Sequence, residues 1–320
     1  MTKIDYTRAM KTSERIYELL SQTSDYTSGE SLAKTLNLSR TAIWKAVKSL
    51  ENQGLEIESS KNKGYRILTG DLLLPQQLSQ KLKLPVSYKE ETQSTQLDAK
   101  HGIEANLSCP HLYLANHQSH GKGRLSRSFY SPSGSGIYMS MHLRPNLPYS
   151  QMEPYTMILA SCVVKAISRL TGIETDIKWV NDIYFENHKI AGILTEAVTS
   201  VETGLITDLI IGVGINFNNT NFPNELKNKA GSLFKSHPTI TRNQLIEEIW
   251  TLFFTIPSHE HIKIYKEKSL VLNKQVTYYK NEKLVEGKAI AITDQGYLIV
   301  EHPDGQVETL PSGEVSLSSW

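Results

Sequence analysis

Apolar residues near the start of the chain recur at helical spacing. From Glu14 to Leu20, residues Ile16, Leu19 and Leu20 share one face, which predicts a short amphipathic helix. A second helix begins near Ser28-Gly29-Glu30-Ser31-Leu32-Ala33, where Ser28 or Ser31 can cap it. Asn37-Leu38-Ser39 reads as a turn, and Ser39 is a good cap for the helix that follows. There Ala42, Ile43, Ala46, Val47 and Leu50 form one buried stripe. The opposite face carries Arg40, Thr41, Trp44, Lys45, Lys48 and Ser49. Gly54 ends the helix, and Leu55 to Ser59 and Tyr65 to Leu68 alternate as two strands around Lys61-Asn62-Lys63-Gly64. The set predicts a winged helix-turn-helix. A small helical module that binds another protein would share the spacing, but the basic outer face, Ser39 at its start and the basic wing with Lys63 favour DNA.

Further along, Leu112 to Ala115 and Leu209 to Asn218 read as buried strands. Gln151 to Leu170 reads as an amphipathic helix ended by Gly172, and Asn243 to Phe254 as another, capped by Thr241. From Val276, short alternating strands turn at Lys280-Asn281 and Pro303-Asp304-Gly305, which predicts a small SH3-like barrel. No apolar run reaches the ~18 residues of a membrane span, and Met1 to Met10 has no apolar signal core. A cytoplasmic protein without a membrane partner is expected.

Composition narrows the class. The 320 residues suffice for two or three domains, and 39% hydrophobic content excludes a wholly disordered or collagenous chain. Two cysteines, Cys109 and Cys162, exclude a disulfide scaffold, and ten scattered histidines show no metal-ligand spacing, so no protein-held metal is expected. The near-neutral balance of 34 basic and 33 acidic residues argues against a dedicated nucleic-acid binder only as an average. Residues 1–68 carry eleven basic and eight acidic residues, a net +3, which leaves −2 for the remainder. Different partners for the two parts are implied.

Three central segments are candidates for chemistry. The first runs Asn116-His117-Gln118-Ser119-His120-Gly121-Lys122-Gly123-Arg124-Leu125-Ser126-Arg127-Ser128-Phe129, with glycines for backbone freedom and cations at Lys122, Arg124 and Arg127. Ser126 replaces the third glycine of a dinucleotide fingerprint, so that motif is excluded. On spacing alone a solvated basic loop remains open. The second is Lys178-Trp179-Val180-Asn181-Asp182, followed by Lys189 to Glu196 between apolar stretches. Lys178 is either an anion contact or the partner of a structural ion pair with Asp182. The third, Gly212-Val213-Gly214-Ile215-Asn216, is compatible with close packing of sheet elements as much as with a ligand.

Taken together, Gly121-Lys122-Gly123-Arg124 with Arg127, the Lys178-Trp179-x-Asn181-Asp182 block and the Gly212-x-Gly214-Ile215-Asn216 strand resemble biotin–protein ligases in order and spacing. With the winged helix in front and a closing Gly313-Glu314-Val315-Ser316-Leu317, the whole chain resembles the bacterial bifunctional ligase and biotin operon repressor. The resemblance implies an α+β multidomain fold. It comprises a winged helix-turn-helix over 1–68, a class II synthetase-like ligase domain with a mixed sheet and helices over 69–270, and an SH3-like barrel over 271–320.

It also implies ATP and biotin as substrates, with Mg²⁺. Ser94, Thr95, Gln96 and Gln118 match the biotin head-group contacts, and Lys122, Gly123 and Arg124 the biotin-binding loop. Gly121, Arg127, Phe129 and Asn216 match the adenylate side, and Lys178 and Arg124 the charge-neutralising pair of the reaction. Lys122 stands where the family has Arg, Ser126 where it has Gly, Phe129 where it has Trp and Val180 where it has Pro. The implied partners are a biotin carboxyl carrier protein (of acetyl-CoA carboxylase, with pyruvate carboxylase a second candidate), biotin operator DNA, and a second copy of the chain when biotinyl-AMP is bound. A repressor without ligase activity and a lipoate-type ligase of related fold are the alternatives. Ordering the ten residues Ser119 to Ser128 costs on the order of 10 kcal/mol, so this loop is expected to be disordered alone and to fold over ligand.

Overall fold

The computed structural model describes residues 10–313 and 315–317. The readings of Met1 to Ala9 and of Glu314 lie outside the described residues. The first three helices are α1 (Thr12–Ser21), α2 (Gly29–Leu36) and α3 (Arg40–Asn52), followed by the antiparallel strands β1 (Glu56–Ser60) and β2 (Gly64–Thr69). Ile16, Leu20, Leu32, Ile43, Val47 and Leu50 form their core. Ser28 Oγ accepts from Ser31 N at 3.0 Å and Ser39 Oγ from Ala42 N at 3.1 Å, which makes Ser28 the cap of α2 and Ser39 that of α3. The wing turns tightly at Gly64, φ +110°, where a Cβ would stand 2.1 Å from the Thr27 carbonyl oxygen.

The segment after β2 belongs to two cores at once. Leu72 and Leu74 are buried with the winged module and Leu73 with the body beyond it. Leu72 to Leu74 therefore bridges the winged module and the body. Alternation along an extended chain sends successive side chains to opposite sides. Asp71 anchors this segment: its carboxylate pairs with Arg242 Nε at 2.5 Å, and Arg242 is 2% exposed. The same guanidinium donates to the Asp71 carbonyl at 2.9 Å, Asn116 Oδ1 at 3.1 Å and the Gly136 carbonyl at 3.3 Å.

The body follows as α4 (Pro75–Leu82), β3 (Val86–Thr92), α5 (Thr95–Glu104), β4 (His111–Gln118), β5 (Gly136–Leu143), β6 (Leu147–Pro148), α6 (Tyr155–Thr171), β7 (Asp176–Lys178), β8 (Asp182–Phe185), β9 (His188–Thr199), β10 (Leu205–Asn216), α7 (Arg242–Thr255) and α8 (Ser258–Glu267). Its mixed sheet has the order β3-β4-β5-β10-β9-β8-β7, with β3 and β4 parallel, the other pairs antiparallel, and β6 beside β10. The α6 helix starts at Tyr155 rather than Gln151, because Pro154 keeps the residue before it out of the helical region. Thr241 caps α7 as the sequence predicts. Cys162 is fully buried in α6, and burial pushes its thiol far up.

Side-chain alternation divides the sheet faces. Ile211, Val213 and Ile215 pack with α6 and α7, whereas Ile210 packs with Ala99 of α5 and Tyr113. Positions 212 and 214 of β10 thus face the α5 side, and both are glycine. The last strands, β11 (Gln275–Lys280), β12 (Lys283–Ile292), β13 (Leu298–Glu301), β14 (Val307–Leu310) and β15 (Ser316–Leu317), form an antiparallel sheet of order β14-β13-β12-β11-β15. Its buried residues join the central core in one cluster, and Trp179 Nε1 donates across to the Gly296 carbonyl at 2.8 Å. Among the described residues no helix is long and apolar enough to cross a membrane.

Removing one partner of a buried ion pair strands the other. Arg242→Ala is therefore expected to cost about 3–5 kcal/mol in denaturant unfolding. A loss below ~1 kcal/mol would show that the linker is held by something else.

Candidate active site

The glycines of β10 create a hollow on the α5 face of the sheet. A Cβ at Gly212 would lie 2.6 Å from Gln96 Oε1, and one at Gly214 would lie 2.5 Å from the Phe129 ring. The glycines therefore admit side chains onto the sheet rather than letting sheet elements close together. Register runs this floor sideways: Ser140 stands opposite Gly212, Gly214 opposite Gly192, Gly192 opposite Asp182 and Asp182 opposite Lys178.

The resulting cavity measures about 660 Å³ and has two chemically different ends. Around Gly212 stand Thr95, Gln96, Gln118 and Ser140, all neutral. Thr95 N donates to Gln118 Oε1 at 2.8 Å, Gln118 Nε2 donates to Ser131 Oγ at 2.9 Å, and the Thr95 and Ser140 hydroxyls are 2.8 Å apart. Toward Gly192 and beyond stand Lys122, Arg124, Arg127, Lys178, Lys189 and Lys229, against Asp182 as the single carboxylate among the lining residues. Lys189 Nζ pairs with Asp182 Oδ1 at 2.7 Å, and Lys178 Nζ lies 5.7 Å from the centroid of the Tyr184 ring. Burial first, then the Asp182 charge, raises the Tyr265 hydroxyl well above the usual phenol range, so it keeps its proton and donates to the Val180 carbonyl at 2.8 Å.

The basic loop covers this end. Gly123 N donates to the Arg127 carbonyl and Phe129 N to the Gly121 carbonyl, both at 2.8 Å. Arg124 Nη1 reaches Asn181 Oδ1 at 3.1 Å and the Gly313 carbonyl at 3.2 Å, tying the loop to the β7–β8 turn and to the C-terminal domain. Ser126 has φ +59°, left-handed backbone that favours the glycine the resemblance expects there.

Of the expected substrate contacts, Thr95, Gln96, Gln118, Lys122, Gly123, Arg124, Arg127, Phe129 and Lys178 line the cavity. Ser94, Gly121 and Asn216 are not among the lining residues. Ser94 Oγ caps α5 by accepting from Leu97 N at 3.1 Å. Gly121 leaves room for the Phe129 carbonyl, 2.5 Å from where a Cβ would be. Asn216 is 4% exposed; its amide donates to the Gly231 carbonyl at 3.0 Å and accepts from Asn219 at 3.1 Å. Lys189 is a cavity cation outside the expected contacts; simple alternation from Gly192 would put position 190, not 189, on the cavity face. A bulge between Ile183 and Tyr184 pairs Tyr184 with Lys189, which turns this lysine inward.

On the winged module, Arg40, Thr41, Trp44, Lys45 and Lys48 are exposed on α3 as expected, and Trp44 is 52% exposed. The Ser39 hydroxyl serves as the helix cap. Arg40 pairs with Glu30 at 2.7 Å and Lys48 with Glu51 at 2.6 Å, and Lys63 lies over the Tyr26 ring at 5.4 Å.

Residues 12–66 match the HTH domain family, 88–216 the biotin/lipoate A/B protein ligase family and 271–318 the biotin protein ligase C-terminal domain. The bifunctional ligase/repressor BirA of Bacillus spizizenii is 34% identical over 323 residues, covering 94% of this chain and 97% of its own. The chain belongs to the BirA family of bifunctional ligase/repressors. BirA of Escherichia coli is 27% identical over 310 residues, covering 92% of this chain and 94% of its own. Biotin protein ligase from Aquifex aeolicus, solved in complex with biotin and ATP, covers 74% of this chain and 99% of its own, with 25% identity and a TM-score of 0.62. Within the BirA family, then, this chain carries the winged module, the ligase body and the C-terminal sheet together.

Phe129 is seated on glycine. Gly214→Ala is expected to displace the ring and cost about 1–3 kcal/mol in thermal unfolding. An unchanged melting temperature would mean that the ring does not rest there.

Proposed function

We propose that this BirA-family chain is an ATP-dependent biotin–protein ligase that also represses transcription of biotin genes, with biotinyl-5′-AMP as corepressor. The observation that carries this reading is the joining, on one sheet face, of a neutral hydrogen-bonding end to an end with six cations and one carboxylate. Biotin has that polarity, with an uncharged cyclic urea at one end and a carboxylate at the other.

Thr95, Gln96 and Gln118 hold the urea in this account, with Ser94 fixing the start of α5 beneath them. Lys122, Gly123 and Arg124 close over the valeryl chain and carboxylate. Phe129 stacks on adenine, Arg127 contacts the nucleotide, and Gly121 and Asn216 shape the adenylate side from behind. A biotin carboxylate oxygen attacks the α-phosphorus of ATP, and pyrophosphate leaves. A carrier lysine amine then attacks the carbonyl of the mixed anhydride, forming the amide, and AMP leaves with the bonding pair. Two anions must meet in the first step, so Lys178 and Arg124, joined by Lys189, act by position and charge rather than by forming a covalent bond.

Among the described residues no group of three His, Cys, Asp or Glu could hold a metal ion. Asp182 can offer one carboxylate oxygen, which fits Mg²⁺ entering on the polyphosphate rather than in a protein cage. When bound, it would neutralise phosphate charge.

Ligase activity makes a biotin carboxyl carrier protein the acceptor, with that of acetyl-CoA carboxylase first and pyruvate carboxylase second. The winged module supplies Arg40, Thr41, Trp44, Lys45, Lys48 and Lys63 to operator DNA, with Ser39 at the start of α3. An adenylate-bound homodimer would present two such modules to a palindromic operator, in the cytoplasm where biotin genes are transcribed. A repressor that only sensed biotin would have a single carboxylate to neutralise, fewer charges than the six convergent cations serve. A lipoate ligase would not need the loop and the Lys178 block in this form.

Lys178→Ala and Lys189→Ala are each expected to slow biotin-dependent pyrophosphate release about 10²–10³-fold. Near-wild-type rates in both would remove the proposed charge role. Biotinyl-AMP is expected to tighten operator binding in a gel shift; an unchanged affinity would refute the repressor half and leave the ligase half standing.

A further inference from the structure

Gln96 and Lys100 stand one turn apart on α5, and both reach Glu196 of β9. Gln96 Nε2 donates to Glu196 Oε2 at 2.8 Å, and Lys100 Nζ to Oε1 at 2.8 Å. A carboxylate can only accept, so this contact decides which way round the Gln96 amide sits. The nitrogen is held at Glu196, and the oxygen turns to the space left by Gly212. There Gln96 Oε1 is buried and accepts no hydrogen bond among the described residues. A Cβ placed on Gly212 would lie 2.6 Å from that oxygen and 3.2 Å from Ser140 Oγ, and all three residues line the cavity. A buried acceptor left without a donor is costly, and a ligand N–H arriving at this end removes the cost.

We propose that Glu196, itself held by Lys100, is a positioning residue that presents the Gln96 carbonyl to a ureido N–H and so sets the preference for an N–H-bearing cyclic urea. Without Glu196 the amide is free to turn end for end, setting its NH₂ against the N–H of the ligand. The inference rests on the biotin reading of this cavity and assigns a role to two residues outside the expected contacts.

The test is calorimetric titration of full-length wild type and Glu196→Ala with biotin and with the two analogues methylated on one or the other ureido nitrogen. Glu196 is about one-third exposed, so its truncation leaves the core intact. Wild type is expected to bind biotin and to discriminate against at least one methylated analogue. Glu196→Ala is expected to raise the Kd for biotin about three- to tenfold, the value of one hydrogen bond, and to shrink that discrimination by a similar factor. An unchanged biotin Kd would overturn the proposal. So would an equal loss for biotin and both analogues, because a merely structural role moves all three together. Wild-type protein that binds no biotin at all would instead overturn the biotin reading on which the proposal rests.

Discussion

Six cations share one cavity with a single carboxylate, and the rest of the body is arranged around that imbalance. Two like charges ~8 Å apart repel by about 2 kcal/mol at an effective dielectric of 20, so each added cation makes the empty site less favourable. Asp182 offsets part of this by holding Lys189, and Arg124 is steadied through one nitrogen, Nη1, by Asn181 and Gly313. What remains is a standing preference for anions. In the proposed reaction it would let a carboxylate and a triphosphate, which repel each other in water, be held together.

The same loop contacts make the C-terminal sheet part of the site. Arg124 bonds the Gly313 carbonyl, and Val315 and Ser316 line the cavity, so the small domain is a wall as well as an appendage. At the other end of the body, Arg242 joins the inter-domain segment to β4 and β5 through Asp71, Asn116 and Gly136. Asn116 and Gln118 lie on one strand, which thus touches both the ligand cavity, through Gln118, and the anchor of the winged module, through Asn116.

Much of this was legible in the chain itself. The α3 stripe, the Ser39 and Thr241 caps and the alternating C-terminal strands follow local rules, and local rules suffice where one face is buried and the other wet. The spacing of the β10 glycines leaves close packing and a ligand equally open, because their neighbours, Gln96 and Phe129, come from segments over eighty residues away in sequence. Lys189 was hidden by a bulge, which no alternation pattern announces. Asn216 and Ser94 sat in the right motifs, but their side chains are engaged in holding backbone and neighbours in place. The shared linker was also missed, since Leu72, Leu73 and Leu74 look alike in sequence and differ only in which core each one enters.

The central claim is that one cavity joins biotin to AMP and passes it to a lysine. The direct measurement is to incubate the full-length protein with biotin, ATP, Mg²⁺ and a biotin carboxyl carrier domain, and to follow carrier mass and AMP release together. The account requires carrier mass to rise by one biotinyl group per AMP released, and only when both biotin and ATP are present. A carrier that stays unmodified, with no AMP formed, would contradict it.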